Sequence, residues 1–326
     1  MKQYVLGVDG GGTKTQCALY DIEGNQVDFI NWGPTNHEVL KGGLLGVKSE
    51  LTVMVNYLLK RNDIKLDQIV KSVFGLAGAD TKRQHEDIAK IIKDLGLENF
   101  ELYNDAYLGI KAGSKNGRGI GVVHGTGVCV AGIDRLGNTF QIGGQGMLTG
   151  DFGGGTYLGG KFIQSIYNYH FRCGQYTYMI ELLPDELKVP SKYDFIDNAR
   201  EKIDGGLVKV AELNRLVFEA ANKQDAVAIN ILKELGDSLA DSINGCIKEL
   251  DFISSEPVEI ILSGSINTKA GNSTIVDTIK EKVASRNSEK VIEFIILDKL
   301  PVTGAVIWAF ESIMDRSEIN RIFFTS

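Results

Sequence analysis

The sequence predicts an α/β protein whose two halves repeat one plan. Three observations carry this. Short apolar runs end in glycine clusters, as strands do where the backbone turns tightly. The succession strand, glycine turn, strand, turn, strand occurs near residue 4 and again near residue 119, which reads as an internal duplication. Helical periodicity follows each repeat.

In chain order, strands are expected over 4–9, 15–20 and 26–31, with turns at 10–12 and 21–25. A helix over 44–61 carries Leu45, Val47, Leu51, Val55, Leu58 and Leu59 on one side. A buried strand over 71–76 ends in Gly75-Leu76-Ala77-Gly78. A helix over 85–94, a strand over 100–104 and a helix over 106–114 complete the first half. The second opens with strands over 119–124, 129–134 and 139–142. A mainly helical stretch over 156–250 follows, and its last helix bears the stripe Ile229, Leu232, Leu235, Leu239, Ile243 and Ile247. A strand over 258–262, a helix over 274–285, a strand over 293–297 and a helix from Pro301 to Met314 close the chain.

The 326 residues leave room for two domains. A net charge of −7 and a pI near 5.3 argue against a general nucleic-acid binder, which carries a basic stripe. They leave phosphate ligands open, since backbone N–H groups and Mg²⁺ hold those without net positive charge. No signal peptide and no apolar stretch of membrane-spanning length is visible. Cys17, Cys129, Cys173 and Cys246 are scattered without CxxC spacing, so a zinc or iron–sulfur centre is not expected. Reduced thiols in a cytoplasmic protein are the expectation. The 38 glycines cluster at strand ends rather than in linkers, where a backbone approaches a ligand closely.

Five motifs carry the candidate chemistry. In Asp9-Gly10-Gly11-Gly12-Thr13-Lys14-Thr15, the glycines let a hairpin lie against phosphates. The Thr13 and Thr15 hydroxyls can donate to phosphate oxygens, and Asp9 can hold Mg²⁺ directly or through water. The run is neither a Walker A loop nor a dinucleotide fingerprint, because it joins two strands. Asn104-Asp105-Ala106 puts a carboxylate where a strand ends and a helix opens. That is a place for a general base and equally for a helix N-cap. His124-Gly125-Thr126-Gly127 is the matching turn of the second repeat; its lone histidine reads as structural. Gly143-Gly144-Gln145-Gly146 and Gly150-Asp151-Phe152-Gly153 form a loop whose Asp151 either orients a ligand hydroxyl or caps the next helix. Ser263-Gly264-Ser265 ends a strand in small residues, against which an adenine can lie flat.

In this order the motifs resemble the actin-like ATPase superfamily, and within it the N-acetylglucosamine kinase branch of the BadF/BadG/BcrA/BcrD ATPase family. The likeness is strongest at residues 9–15, at Gly33-Pro34-Thr35-Asn36-His37, at 104–106, at 125–127 and at 150–153. It implies two actin-like (ribonuclease H-like) domains, 1–116 and 117–300, with an active-site cleft between them. The helical stretch would be an insertion, and residues 301–326 would return to the N-terminal domain. It implies an ATP- and Mg²⁺-dependent amino-sugar kinase, cytoplasmic and homodimeric. Residues Asp9 to Thr15 and Gly125, Thr126 and Gly127 would hold the phosphates, and Ser263, Gly264 and Ser265 the adenosine. Asn36, Asn104, Thr126, Gly127, Gly144, Gln145 and Asp151 would line the sugar pocket, and Asp105 would deprotonate the acceptor hydroxyl. Mammalian members carry a Trp where this chain has Gln145. A pocket without that ring would admit a larger O3 substituent, such as the lactyl group of N-acetylmuramic acid. Of the same superfamily, an ATPase subunit or activator would need cluster-binding cysteines, and a repressor would need a leading helix-turn-helix. A filament protein would leave Asn36 and Asp151 without a task.

Overall fold

The computed structural model describes residues 2–324 except Thr126, Met147, Leu148, Phe152 and Ala270. The first half opens with an antiparallel meander, β1 (Tyr4–Gly10), β2 (Thr15–Asp21) and β3 (Gln26–Trp32). After α1 (Gly43–Arg61), β4 (Ile69–Leu76) joins β1 in parallel. After α2 (Lys82–Asp94), β5 (Phe100–Tyr103) joins β4 in parallel, and α3 (Ala106–Gly113) leads out. The second half repeats the meander with β6 (Gly119–His124), β7 (Val128–Ile133) and β8 (Thr139–Gly143). Helices α4 (Gly155–Phe171), α5 (Phe195–Asp204), α6 (Asn214–Asn222) and α7 (Ala226–Glu249) follow. Then come β9 (Val258–Ser263), α8 (Ser265–Lys269), α9 (Thr274–Arg286), β10 (Ile292–Ile296), α10 (Pro301–Phe310) and α11 (Arg316–Phe323).

The two five-stranded sheets run in the orders β3-β2-β1-β4-β5 and β8-β7-β6-β9-β10. These are one topology, so the duplication read in the sequence is structural. The parallel strands β1, β4, β6 and β9 are buried almost throughout, as strands covered on both faces must be.

One face of the first sheet is covered by α1 and α2, through Val47, Leu51, Met54, Leu58, Ile88 and Ile92. Helix α2 begins at Lys82, ahead of the expected residue 85, because Thr81 and Gln84 close a capping box at its start. In the second half α7 and the inserted helices cover the outer face, and Ile243 and Ile247 of the expected stripe are buried there.

The inner faces of the two sheets are bridged by a crossed pair of helices. Helix α3 leaves the first sheet and packs on β6 and β7; α10 leaves the second sheet and packs on β1 and β4. Glycines make the crossing possible. A Cβ on Gly304 would overlap the Leu108 carbonyl where α10 meets α3. A Cβ on Gly7 of β1 would fall 2.6 Å from Val306, and one on Gly121 of β6 would fall 2.5 Å from the Ala106 carbonyl. Trp308 stacks on Tyr103 with ring centroids 3.6 Å apart, and Lys111 pairs with Glu311 at 2.7 Å. The final helix expected to reach Met314 stops at Phe310, and α11 follows after a break, started by Asp315 accepting from the Glu318 amide. Among the described residues, no helix is long and apolar enough to cross a membrane.

Candidate active site

The parallel strands of both sheets end at one level, and the ends face each other across a cleft of about 420 Å³. Ligands of open α/β sheets bind at such carboxyl ends. On the first side the cleft is lined by Asp9, Gly11, Gly12, Thr13 and Lys14 of the β1–β2 turn, by Asn36 and Glu38, and by Asp80, Asn104 and Asp105. On the second side stand Gly125, Gly127, Cys129 and Gly144, with Ser263 and Gly264 at the end of β9. A flanking chamber of about 340 Å³ shares Glu38, Gly127 and Gly144 and adds Gln145 and Asp151. Thr126 lies outside the described residues.

Asp105 stands at the N-cap position of α3, yet its side chain makes no capping hydrogen bond. Asn104 does that work: its Oδ1 accepts from the Ala106 amide at 2.9 Å. The carboxylate of Asp105 is thereby left to the cleft. Burial pushes its pKa up to about 8, the charges of Asp9 and Asp80 push the same way, and the amides of Asp105 and Ala106 oppose them. Asp9, at the end of β1, is raised to about 6 by burial, against the pull of Lys14.

Asn36 is buried, and its Oδ1 accepts from the Glu38 amide at 2.9 Å, so its amide NH₂ is the end left for a ligand. Asp151 organises the 144–151 loop: its Oδ2 accepts from the Gln145 amide at 2.8 Å and from the Thr149 hydroxyl at 2.6 Å. It does not cap α4, whose N-cap is Gly154. Gln145 is exposed at the rim of its chamber.

Three expected phosphate or adenosine contacts fall elsewhere. Thr15 is fully buried and spends its hydroxyl on Thr35 at 2.9 Å, because strand alternation turns it into the sheet's interior. Gly10 lies beneath the cleft, where Thr35 and Leu76 already fill the place of a side chain. Ser265 has passed into α8 and is not on the cleft wall. Ser263 reaches the cleft, but its hydroxyl donates to the Val122 carbonyl at 3.2 Å. His124 is fully buried; it bonds the Gly153 carbonyl through Nε2 and faces Asn267 through Nδ1 at 3.3 Å, which ties the end of β6 to Gly153 and to α8.

Asp80 and Gln141 escaped the sequence reading. Asp80 lies just beyond β4, raised to about 6 by burial and by Glu38, with the Gln141 hydrogen bond and His37 opposing. No motif marks either residue. The only available signal was the position of Asp80 just after the strand end Gly75-Leu76-Ala77-Gly78, as Asp105 follows the strand end at Asn104.

The glycine turns fit a polyphosphate. Positions for a Cβ on Gly125 and Gly127 face open space, so nothing but backbone lines the second wall, where the Gly125 amide closes the turn on the Gly127 carbonyl at 3.0 Å. The acidic floor fits a hard cation. Among the described residues no three acidic, His or Cys side chains stand close enough to hold a metal unaided, so a cation at Asp9 would complete its shell with phosphate oxygens and water.

Two like sheets, a crossed-helix floor and a cleft at the strand ends define an actin-like fold. The match to known proteins is closer than the fold alone. Residues 6–309 match the profile of the BadF/BadG/BcrA/BcrD ATPase family, and the chain belongs to that family. It is 25% identical over 321 residues to the N-acetyl-D-glucosamine kinase of Dictyostelium discoideum, covering 95% of this chain and 99% of the other. It is 29% identical to the N-acetylmuramic acid/N-acetylglucosamine kinase of Clostridium acetobutylicum, covering 81% and 86% respectively. A candidate N-acetylglucosamine kinase of known structure from Chromobacterium violaceum superposes with a TM-score of 0.67 at 18% identity, covering 94% and 99%.

Proposed function

We propose that the protein is an ATP-dependent amino-sugar kinase, acting on N-acetylglucosamine and also accepting N-acetylmuramic acid. The observation that carries this is Asp105: a carboxylate aimed into the cleft between two glycine turns, with its capping duty taken over by Asn104. The names of the two curated relatives support the sugar, and the Clostridium relative is named for both. Among the described residues the flanking chamber has no aromatic lining and Gln145 is exposed at its rim, which suits a bulky O3 substituent.

The chemistry forms a bond from a sugar oxygen to the γ-phosphorus and breaks the bond from that phosphorus to the β,γ-bridging oxygen. The Gly12 amide on one wall and the Gly127 amide on the other grip the phosphates from both sides, while the Gly11 and Gly125 amides hold their turns closed. Lys14 adds a positive charge. The strand end at Ser263 and Gly264 takes the adenosine. The Asn36 amide and the Asp151 loop orient the sugar, and Asp105 takes the proton of the attacking hydroxyl. Mg²⁺ at Asp9 would neutralise phosphate charge and weaken the repulsion that keeps Asp105 protonated. The reading makes residues 1–116 and 117–300 the two domains, with 301–326 returning to the first, in a cytoplasmic homodimer; gel filtration tests the dimer.

Measuring ADP release with N-acetylglucosamine, N-acetylmuramic acid, N-acetylmannosamine, glucosamine and glucose tests the activity. Turnover is expected with the first two above all. No turnover with any of the five would overturn the kinase reading.

A further inference from the structure

Asp80 holds one oxygen between the two halves of the molecule. Its Oδ1 accepts from Asn104 Nδ2 at 2.8 Å, within the first half. The same oxygen accepts from Gln141 Nε2 at 2.8 Å, and Gln141 belongs to β8, the edge strand of the opposite sheet. Beyond Asp80 the connection continues, because Asn104 Oδ1 takes the Ala106 amide and so fixes the first turn of α3. A path of three hydrogen bonds thus runs from the second sheet to the backbone that carries Asp105. Gly144 makes room for it. At φ 85°, a Cβ there would stand 2.5 Å from Asp80 Oδ1.

We infer that Asp80, Gln141 and Asn104 form a clasp that positions the base only while the two halves are closed on each other. The inference rests on the kinase reading and adds to it a residue set that acts through Asp105 rather than on substrate. If the second half swings away, Gln141 leaves with β8 and Asp80 loses its cross-cleft donor, keeping only partners of its own half, Asn104 and the Gly78 amide. The amide that orients Asn104 then has a looser partner, and Asp105 is no longer fixed. Closure and the alignment of the base become one event, so an open cleft holding ATP and water lacks a positioned base. A carboxylate suits this joint, since one of its oxygens can accept two donors at once.

Gln141→Leu removes the cross-cleft donor and leaves Asp80, Asn104 and Asp105 in place. The expected result is a kcat about tenfold lower, as for a slightly misplaced catalytic group. ATP consumed per sugar phosphate formed should rise, with KM for ATP unchanged. Because one path is being cut twice, Gln141→Leu combined with Asp80→Asn should be no slower than Asp80→Asn alone. Gln141→Thr, suited to an edge strand, serves as a second variant should the leucine variant misfold. A Gln141 variant with wild-type kcat and ATP coupling, or losses that multiply in the double variant, would overturn the clasp. Asp105→Asn, measured alongside, separates the two ideas: if it is inactive while Gln141→Leu is normal, the clasp alone falls. If Asp105→Asn turns over normally, the assignment of the base falls.

Discussion

The two glycine turns occupy the same place in two copies of one sheet, and they are furnished differently. The first puts Asp9 and Lys14 into the cleft and closes on itself through the Gly11 amide and the Lys14 carbonyl at 2.9 Å. The second closes likewise through the Gly125 amide and the Gly127 carbonyl at 3.0 Å, but it has no acidic or lysine side chain between His124 and Gly127, and its histidine is turned inward and tied to the Gly153 carbonyl and to α8. Asp9, Asp80 and Asp105 all come from the first half. The difference teaches a division of labour. One half concentrates titratable groups, each raised by burial, with Asp9 and Asp80 raising Asp105 further. The opposing half presents glycine backbone and open space to the same ligand.

The sharpest test of that division is Asp105→Asn, which should lower kcat by about 10²–10⁴-fold while leaving sugar binding, read by calorimetry, largely intact. His124→Gln on the other side should change kcat far less, and equal losses would erase the contrast. Next in size, Asp9→Asn should reduce kcat by about 10²-fold. It should also lower the pH at which Asp105 titrates from about 8 in the metal-free protein, since one opposing charge is gone; carboxyl NMR reads the shift.

Glycine substitutions sharpen the comparison further. Gly125→Ala meets open space and should leave the melting temperature unchanged while raising KM for ATP. Gly304→Ala, at the helix crossing, should cost about 1–3 kcal/mol of stability, seen as a lower melting temperature. The smallest effect concerns His124. Burial holds its pKa below the usual 6.5, so the folded protein resists a proton that the unfolded chain accepts. Its stabilising contribution is complete above pH 6.5 and declines as pH falls below it. His124→Gln should flatten that decline in a series of thermal melts.

Much of this was legible in the sequence because it is local. Strand-end glycines, the repeated meander and the apolar stripe of α7 each lie within a short window, and they place Asp9, Asp105 and both turns. Asp105 itself was ambiguous as a single letter. Its neighbour Asn104 resolves it, and which of the two would cap the helix depends on rotamers that no sequence pattern displays. Thr15 misled because the motif showed a hydroxyl near a phosphate turn, while strand alternation aims it at Thr35. Asp80 and Gln141 were invisible for another reason. They are 61 residues apart and meet only when two sheets face each other. Helix α11, eight residues long, offers too few turns for periodicity to register.

The crossed helices also govern how the chain is assembled. The inner face of the first sheet is covered by α10, which the ribosome makes only after the whole of the second sheet. Val5 and Val73 share a cluster with Ala305, Val306 and Phe310, so they stay uncovered while the whole second half is being synthesised. The N-terminal half therefore cannot finish folding as it emerges, unlike a domain that closes on its own sequence. A chain cut before residue 301 would lose the inner wall of its other half along with its tail.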